Sequence, residues 1–349
     1  MIALRLNAWK SEPVLVEVPD PVPADGEVVV RVGGAGICHS DLHLMHDFDD
    51  TVVSWRPPFT LGHETTGWVH SVGRGVTEVG VGDAVAVYGA WGCGACARCR
   101  VGLENYCSDT RSAPVPGGGP GLGLDGGIAE LLLVPAARHL VPIPDGVDVV
   151  AAACLTDAGL TSYHAVSRSL PKLLPGSFAV VIGAGGLGHL AVQALRALTA
   201  VEIIAVDSRP EALRLAAESG AHVTLAAGDH VVSAIRDATR GRGADVVLDF
   251  VGNDATLAIA AAVARQLGDI TLCGIGAGSL PFSFFSTRRE VSLQTTYWGS
   301  RPELIEVLEL ARTGQLRPRT TTFELADALR AYDSLSAGEI DGRGVIVPP

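Results

Sequence analysis

The first 150 or so residues carry short runs in which apolar positions alternate with polar or small ones. Examples are EVVVRV at 27–32 and GDAVAVY at 82–88, each bounded by Gly or Asp. Alternation with a period of two is typical of half-buried strands, and helical periodicity is scarce in this part of the chain. The pattern therefore predicts an all-β, barrel-like region.

From about residue 153 to 285, continuous apolar runs alternate with amphipathic ones. SFAVVIG is followed by GLGHLAVQALRALTA, and EIIAVD is followed by RPEALRLAAESG. Apolar strands alternating with helices indicate a doubly wound parallel sheet covered on both faces. The remaining residues return to mixed strands and one helix, ELIEVLELARTG.

The length of 349 residues also favours two domains, each with its own core. We predict an α/β protein with a split β-barrel domain, formed by residues 1–152 and 288–349. A Rossmann-type, parallel-sheet domain is predicted at 153–287.

Composition and charge limit the classes of molecule that the protein could bind. Hydrophobic residues make up 48% of the chain, charged residues 18%, and the formal net charge is −12. An acidic surface repels nucleic-acid phosphates and anionic lipids, so we expect no nucleic-acid or membrane partner and predict a small-molecule substrate. Polar residues interrupt the N-terminal apolar run, and no later stretch is long and apolar enough to span a bilayer, so we expect a soluble cytoplasmic protein.

The sharpest nucleotide signal is VVIGAGGLGHL. Gly183, Gly185 and Gly188 directly follow a predicted strand and open a predicted helix, and Asp207 ends the next strand. In a dinucleotide-binding turn, such glycines permit the tight bend, the approach of the pyrophosphate and close helix–strand packing. The acid would bind the adenosine ribose and repel a 2′-phosphate, so NAD is favoured over NADP, although Arg209 weakens this preference.

Four of the seven cysteines fall within one lobe, residues 92–108. Cys93, Cys96, Cys99 and Cys107 have the spacing CxxCxxCx7C, which suits a tetrahedral zinc held by four thiolates. A closed site of this kind stabilises the fold and leaves no position open for catalysis. An iron–sulfur cluster is the main alternative, and a redox pair or disulfide is a weaker one in a reducing compartment.

Taken in order, several segments resemble the zinc-dependent medium-chain alcohol dehydrogenases over essentially the whole chain. They are GICHSDLH, TLGHETTGWV, VGDAVAV, the cysteine lobe and VIGAGGLG. LTDAGLT and YWG resemble the bacterial NAD-dependent branch that acts on secondary alcohols and ketones. The resemblance implies a GroES-like catalytic domain, a Rossmann domain, NAD, and two zinc ions per chain, one catalytic and one structural.

The resemblance also implies a catalytic zinc held by Cys38, His63 and Asp157, with Glu64 approaching the metal transiently. Asp157 stands where many family members have a second cysteine. A carboxylate is a harder and weaker donor than a thiolate, which predicts a more electrophilic zinc. Without the motif context, Cys38 or His63 could serve packing alone, and Asp157 could cap a helix.

Other roles follow from the same resemblance. Ser40 and His43 would relay the alcohol proton to solvent, because a hydroxyl and an imidazole can pass a proton near neutral pH. The cofactor would be bound by Gly183, Gly185, Gly186, Leu187, Gly188, Asp207, Arg209, His39, Thr161 and Arg343. Trp55, Tyr297 and Trp298 would line the substrate pocket.

The expected activity is reversible hydride transfer between NAD and secondary, and some primary, alcohols. A polyol or sugar dehydrogenase of the same superfamily is the first alternative, although an apolar pocket would leave buried hydroxyls without partners. A zinc-stabilised NAD-binding protein without turnover is the second alternative. The family resemblance also implies a homo-oligomer, either a tetramer or a dimer.

Overall fold

The computed structural model describes residues 1–109, 111–115 and 117–349. The strands are β1 (Ile2–Leu6), β2 (Val14–Glu17), β3 (Val28–Ile37), β4 (Phe59–Thr60), β5 (Glu64–Val72), β6 (Ala84–Val87), β7 (Gly119–Pro120), β8 (Gly123–Leu124), β9 (Leu131–Val134), β10 (Leu140–Pro142), β11 (Phe178–Ile182), β12 (Glu202–Asp207), β13 (Val223–Ala226), β14 (Ala244–Asp249), β15 (Ala264–Leu272), β16 (Ser292–Thr295), β17 (Thr320–Glu324) and β18 (Arg343–Val347).

The α-helices are α1 (His39–His46), α2 (Ala158–Ser167), α3 (Gly188–Leu198), α4 (Pro210–Glu218), α5 (Val231–Ala238), α6 (Asp254–Val263), α7 (Arg301–Arg312) and α8 (Ala328–Ser336). Short 3-10 helices span Cys99–Val101, Glu104–Tyr106, Ala137–His139, Ala151–Leu155, Leu170–Lys172 and Leu325–Asp327. Among the described residues, no helix is long and apolar enough to cross a membrane.

The chain divides into two compact units. The first unit comprises Met1–Leu160, Trp298–Arg312 and Pro318–Pro349, and the second comprises Thr161–Tyr297 and Thr313–Arg317.

Both predicted domain boundaries, at 152/153 and 287/288, lie N-terminal to the divisions in the structure. The 3-10 helix Ala151–Leu155 packs against β3 and β5, so these residues stay with the first unit. At the other boundary, β16 pairs in parallel with β15, which keeps residues 292–295 in the second unit.

The first unit is built on a seven-stranded sheet in the order β10-β6-β5-β3-β18-β17, with β9 also pairing with β3. The long strand β3 runs antiparallel to β5, and in this register Gly36 lies opposite Glu64. A Cβ atom at Gly36 would lie 2.1 Å from the Glu64 Oε2 atom, so glycine is required for this close approach. The β-rich character predicted for the first part of the chain is confirmed.

The second unit holds a six-stranded, fully parallel sheet in the order β13-β12-β11-β14-β15-β16. Alternate residues of the buried strand β11 enter two separate cores: Phe178 and Val180 on one face, and Ala179 and Val181 on the other. Both faces are therefore covered, as the continuous apolar runs predict. From the central strand β11, the chain first adds β12 and β13 on one side and then returns to add β14, β15 and β16 on the other side. This change of direction is the arrangement of a doubly wound dinucleotide-binding sheet.

Candidate metal and cofactor sites

Four candidate metal ligands meet within the first unit. Cys38 lies between β3 and α1, His63 and Glu64 lie at the start of β5, and Asp157 directly precedes α2. Their ligand atoms all lie within 4.8 Å of one another. The pairing of β3 with β5 brings the first three together, and the turn before α2 adds the fourth.

The donor set of this cluster fits a zinc ion. Cys38 and His63 are buried, and the His63 Nε2 atom lies 3.5 Å from the Asp157 Oδ2 atom. One thiolate, one imidazole and one carboxylate are ligand types that zinc accepts, and three protein ligands leave a position open for a substrate. A divalent cation would also offset the repulsion between a buried Cys38 thiolate and the partly buried Asp157 carboxylate.

The charges around the cluster favour an ionised thiol. Burial acts to raise the pKa of Cys38, but the positive charge of Arg343 and a hydrogen bond with His63 outweigh it and lower that pKa to about 7. Burial also acts to lower the pKa of His63, yet the carboxylates of Asp41 and Asp157 raise it well above its ordinary value. The site therefore gathers negative charge around the imidazole.

Glu64 and Arg343 form a buried ion pair beside the cluster, with the Arg343 Nη2 atom donating to the Glu64 Oε1 atom. Burial raises the pKa of Glu64 to about 8, against the opposing charge of Arg343. Within the described residues, the Glu64 Oε2 atom has no hydrogen-bond partner. The sequence analysis predicted Arg343 as a cofactor phosphate contact and did not anticipate this pairing; the phosphate contact stays a prediction.

The two predicted relay residues lie on α1, three positions apart. The Ser40 hydroxyl donates to the Cys38 Sγ atom at 3.2 Å, so it lies directly beside a candidate ligand. The His43 Nδ1 atom donates to the Asp47 carboxylate at 2.6 Å, and its ring stacks on Phe48. His39 begins the same helix and is exposed.

One predicted pocket aromatic lies beside the cluster. The buried Trp298 ring contacts the His63 ring, with centroids 6.4 Å apart. Its backbone has a φ of 49°, a left-handed conformation that is unusual for a bulky residue and marks a constrained position. Its indole fits because Gly89 has no side chain; a Cβ atom there would lie 2.4 Å from the ring.

The other two aromatics are placed differently. Trp55 is buried in an aromatic cluster with Trp9 and Phe59, at centroid distances of 5.6 Å to each. Tyr297 is 42% exposed and belongs to the second unit. Their pocket roles stay predictions.

The cysteine lobe gathers a second set of ligands. Cys93, Cys96, Cys99 and Cys107 have sulfur atoms within 4.8 Å of one another. Backbone N–H groups of Cys93, Cys96 and Cys99 donate to neighbouring sulfurs at 3.3–3.5 Å, and such hydrogen bonds stabilise thiolates, although burial raises the pKa of Cys99 and of Cys107. Hydrogen bonds from the Cys99 backbone and from Ser108 lower the pKa of Cys96 to about 5. All seven cysteines are free, so no disulfide competes, and four sulfurs fit a closed tetrahedral zinc.

Hydrogen bonds of Glu104 connect this lobe to the rest of the first unit. Its buried carboxylate accepts hydrogen bonds from the Gly92 backbone at 2.8 Å, from His139 Nε2 at 3.0 Å and from Arg138 Nε at 3.2 Å. The His139 ring stacks on Trp91, with centroids 5.6 Å apart. The sequence analysis did not identify this network.

The glycine-rich turn of the second unit has the geometry of a dinucleotide site. Gly183 has a φ of 83°, and a Cβ atom at Gly188 would lie 1.9 Å from the Gly183 carbonyl oxygen, so neither position accepts a side chain readily. Gly185, Gly186 and Leu187 complete the turn before α3, whose N-terminus would face a diphosphate.

Asp207 ends β12 beside this turn. Its carboxylate accepts the backbone N–H of Ala184 at 2.8 Å and that of Arg209 at 2.9 Å. The Arg209 Nε atom lies 3.6 Å from the same carboxylate. Thr161 lies in α2 and is buried.

Two family models match the chain. "Alcohol dehydrogenase GroES-like domain" matches residues 24–145, and "Zinc-binding dehydrogenase" matches residues 186–313. Among curated proteins, the chain is similar to an NAD-dependent alcohol dehydrogenase of Sulfurisphaera tokodaii, with 35% identity and 100% of both chains covered. It is also similar to a D-arabinose 1-dehydrogenase (NADP(+)) of Saccharolobus solfataricus, with 34% identity and coverage of 97% of this chain and 95% of the relative.

Solved structures give the same picture. The alcohol dehydrogenase of Aeropyrum pernix superposes with a TM-score of 0.92 at 34% identity, with 100% of both chains covered. An acetophenone reductase from Geotrichum candidum, in complex with NAD, superposes with a TM-score of 0.86 at 30% identity and covers 99% of this chain and 96% of its own.

Proposed function

Because the chain belongs to the zinc-dependent medium-chain alcohol dehydrogenase family, we propose that it catalyses reversible hydride transfer between secondary alcohols and NAD. The observation that carries this proposal is the buried cluster of Cys38, His63 and Asp157, which unites a thiol, an imidazole and a carboxylate beside an aromatic wall. The reverse reaction reduces a ketone.

Cys38, His63 and Asp157 would hold the catalytic zinc, and Glu64 is near enough to join them. When bound, zinc supplies Lewis acidity that lowers the pKa of an alcohol hydroxyl, and the nicotinamide accepts the hydride. A carboxylate in place of a second thiolate leaves the metal with less donated electron density, which favours polarisation of a ketone. Cys93, Cys96, Cys99 and Cys107 would hold a structural zinc.

Side chains of the protein would transfer the proton that the alcohol releases. The Ser40 hydroxyl, next to Cys38, would accept the proton released from the alcohol, and His43 would exchange it with solvent. Asp47 accepts from the His43 Nδ1 atom, which leaves the Nε2 atom as the nitrogen that accepts or releases a proton.

NAD would be bound by the second unit. The glycine-rich turn would accommodate the diphosphate, and Asp207 would bind the adenosine ribose and repel a 2′-phosphate. Thr161, His39 and Arg343 are further proposed cofactor contacts, and Arg209 beside Asp207 makes the preference for NAD less strict.

The substrate is proposed to be a hydrophobic secondary alcohol or ketone. Trp298 presents an apolar face next to His63, and an apolar wall suits an alkyl or aryl substituent better than a polyol. The similarity to a D-arabinose dehydrogenase supports a sugar or polyol substrate as the second candidate.

We also propose a cytoplasmic homo-oligomer, with a tetramer favoured over a dimer. The four-cysteine lobe and the ligand Cys38 require reduced cysteines, which the cytoplasm maintains. The second unit exposes Phe282, Phe284 and Phe285, together with Leu293 of the edge strand β16, and exposed apolar side chains of this kind favour self-association. Size-exclusion chromatography with light scattering would measure the assembly.

The test follows nicotinamide absorbance for the purified protein with NAD and 1-phenylethanol, before and after treatment with a strong zinc chelator. Turnover that the chelator abolishes and added zinc restores is the expected result. Turnover that is indifferent to the chelator, or greater on sorbitol or D-arabinose than on 1-phenylethanol, would overturn this reading in favour of an alternative. An inactive protein that still binds NAD and zinc would identify a non-catalytic binding protein.

A further inference from the structure

A hydrogen bond joins the C-terminal helix α8 to the candidate metal site. The Tyr332 hydroxyl donates to the Asp41 Oδ2 atom at 3.0 Å, and both side chains are buried. We propose that Tyr332 is a positioning residue that holds Asp41 against two metal ligands and so keeps zinc in the catalytic site. This inference rests on the proposed function, since it takes Cys38 and His63 as zinc ligands.

Asp41 is the intermediary, because one carboxylate contacts both ligand residues. Its Oδ2 atom accepts the backbone N–H of Cys38 at 3.0 Å as well as the Tyr332 hydroxyl. Its Oδ1 atom lies 3.2 Å from the His63 Nδ1 atom. The His63 Nε2 atom points instead to Asp157, so Asp41 contacts the imidazole nitrogen on the opposite side from the other ligands.

A carboxyl group with no solvent exposure needs hydrogen-bond donors to offset its lost hydration and to fix it in place. Cys38 supplies one donor from its own backbone, but that donor moves together with the ligand that Asp41 should position. Tyr332 supplies a donor from a separate element. Burial and the charge of Asp41 raise the pKa of Tyr332 well above its ordinary value, so the hydroxyl keeps its proton.

The helix that carries Tyr332, α8, is held in place by packing against the core. Ala328, Ala331 and Leu335 of α8 are buried in the core of the first unit, and α8 packs against α1, β3 and β18. Through Asp41, Tyr332 therefore makes the orientation of His63 depend on the packed core of the first unit, and not only on the loop in which His63 lies. Partners of this kind around metal ligands typically contribute about 10-fold to 100-fold in metal affinity or activity.

The test compares Tyr332→Phe with the wild type and with Tyr88→Phe. Tyr332→Phe removes one oxygen and keeps the ring in the core. Tyr88→Phe is the control for the catalytic zinc, because it removes another buried tyrosine hydroxyl of the same unit. That hydroxyl donates to the Gly299 carbonyl at 2.8 Å and accepts the Asn105 backbone N–H of the cysteine lobe at 3.3 Å. Zinc release from each fully loaded protein is followed with a chromogenic chelator, and thermal unfolding is measured in parallel.

The wild type should release two zinc ions per chain in two phases. In Tyr332→Phe, one phase should become about 10-fold faster and the other should not change. The kcat should fall while the KM for NAD stays the same, because Tyr332 is buried against Asp41 and is not among the proposed cofactor or substrate contacts. In Tyr88→Phe, the phase that Tyr332→Phe accelerates should keep its wild-type rate even if the unfolding temperature falls.

Unchanged zinc release in Tyr332→Phe would overturn the inference, whatever the unfolding temperature. Asp41→Asn provides a second check. If Tyr332 acts through Asp41, Tyr332→Phe should accelerate zinc release much less in the Asp41→Asn protein than in the wild type. An equal acceleration in both proteins would contradict the inference. Wild-type protein that binds a single zinc would instead contradict the proposed function.

Discussion

The imidazole of His63 lies 3.5 Å from the carboxylate of Asp157, although His63 directly precedes β5 and Asp157 directly precedes α2, far apart along the chain. Neither residue is informative alone, since an isolated histidine or aspartate commonly serves packing or capping. Together with Cys38 they form a buried set of three different donor types, and that set is what the proposed chemistry requires.

Replacing Asp157 tests the carboxylate ligand. Asp157→Ala should lose the catalytic zinc and lower kcat by at least about 100-fold, because one of three ligands is gone. The structural zinc should remain, so metal analysis should fall from two zinc ions per chain to one. Asp157→Cys, which supplies a thiolate, is the matched control and should retain both ions. Full zinc content and turnover in Asp157→Ala would contradict the assignment.

Replacing Ser40 tests the proton relay. Ser40→Ala should lower kcat by about 100-fold or more, within the range measured for general acid–base groups, and leave NAD affinity unchanged. Steady-state kinetics and fluorescence titration with NADH would measure the two effects. Ser40→Thr keeps the hydroxyl and should recover much of the rate. Near-normal turnover in Ser40→Ala would show that the proton leaves by another route.

Replacing Asp207 tests the cofactor preference. Asp207→Gly should raise the ratio of kcat/KM with NADP to kcat/KM with NAD by about 10-fold or more, because it removes a carboxylate that repels the 2′-phosphate. Arg209 remains to attract that phosphate. Double replacement with Arg209→Gly is the control and should reduce the gain with NADP. An unchanged ratio in Asp207→Gly would refute the role of the acid.

The Glu104 network predicts a pH-dependent stability. Burial acts to raise the pKa of Glu104, but the hydrogen bond from His139 and the charge of Arg138 hold it below its ordinary value of 4.5. A carboxyl group whose pKa is lower in the folded than in the unfolded protein stabilises the fold at pH values above its unfolded pKa. This stabilisation is lost as the pH falls through the pKa of the folded protein.

Glu104→Gln should therefore lower the free energy of unfolding by about 1–3 kcal/mol at pH 7, since buried hydrogen bonds to a charged group are lost. The difference from the wild type should shrink as the pH falls from 4.5 through the lower folded pKa of Glu104, below which the wild-type carboxyl is also neutral. Urea unfolding followed by circular dichroism at several pH values would measure it. A difference that stays constant with pH would contradict the ionised network.

Local patterns in the sequence predicted much of the fold. The parallel sheet was visible because buried strands such as Phe178–Ile182 are apolar throughout, and the cysteine lobe was visible because its four residues lie close along the chain. The divisions between the two units differ from the predicted domain boundaries because they depend on long-range pairing, such as that of β16 with β15.

The same limit explains the contacts that sequence reasoning missed around the metal site. Tyr332 and Asp41 are separated by 291 positions, and Arg343 and Glu64 by 279, so no local pattern links them. Asp41 did carry a weak signal, since an acidic residue three positions after Cys38 could bond back to its backbone N–H at the start of α1. What that signal could not indicate was the contact of the same carboxylate with His63.

The central claim is direct hydride transfer from a secondary alcohol to NAD, and isotope transfer tests it most directly. The protein would be incubated with NAD and 1-phenylethanol that carries deuterium on the carbinol carbon, and the reduced cofactor would be analysed by proton NMR. We predict deuterium at C4 of the nicotinamide, on one face only, and its absence after removal of zinc. Reduced cofactor without deuterium, or no reduced cofactor from the zinc-loaded protein, would contradict the account.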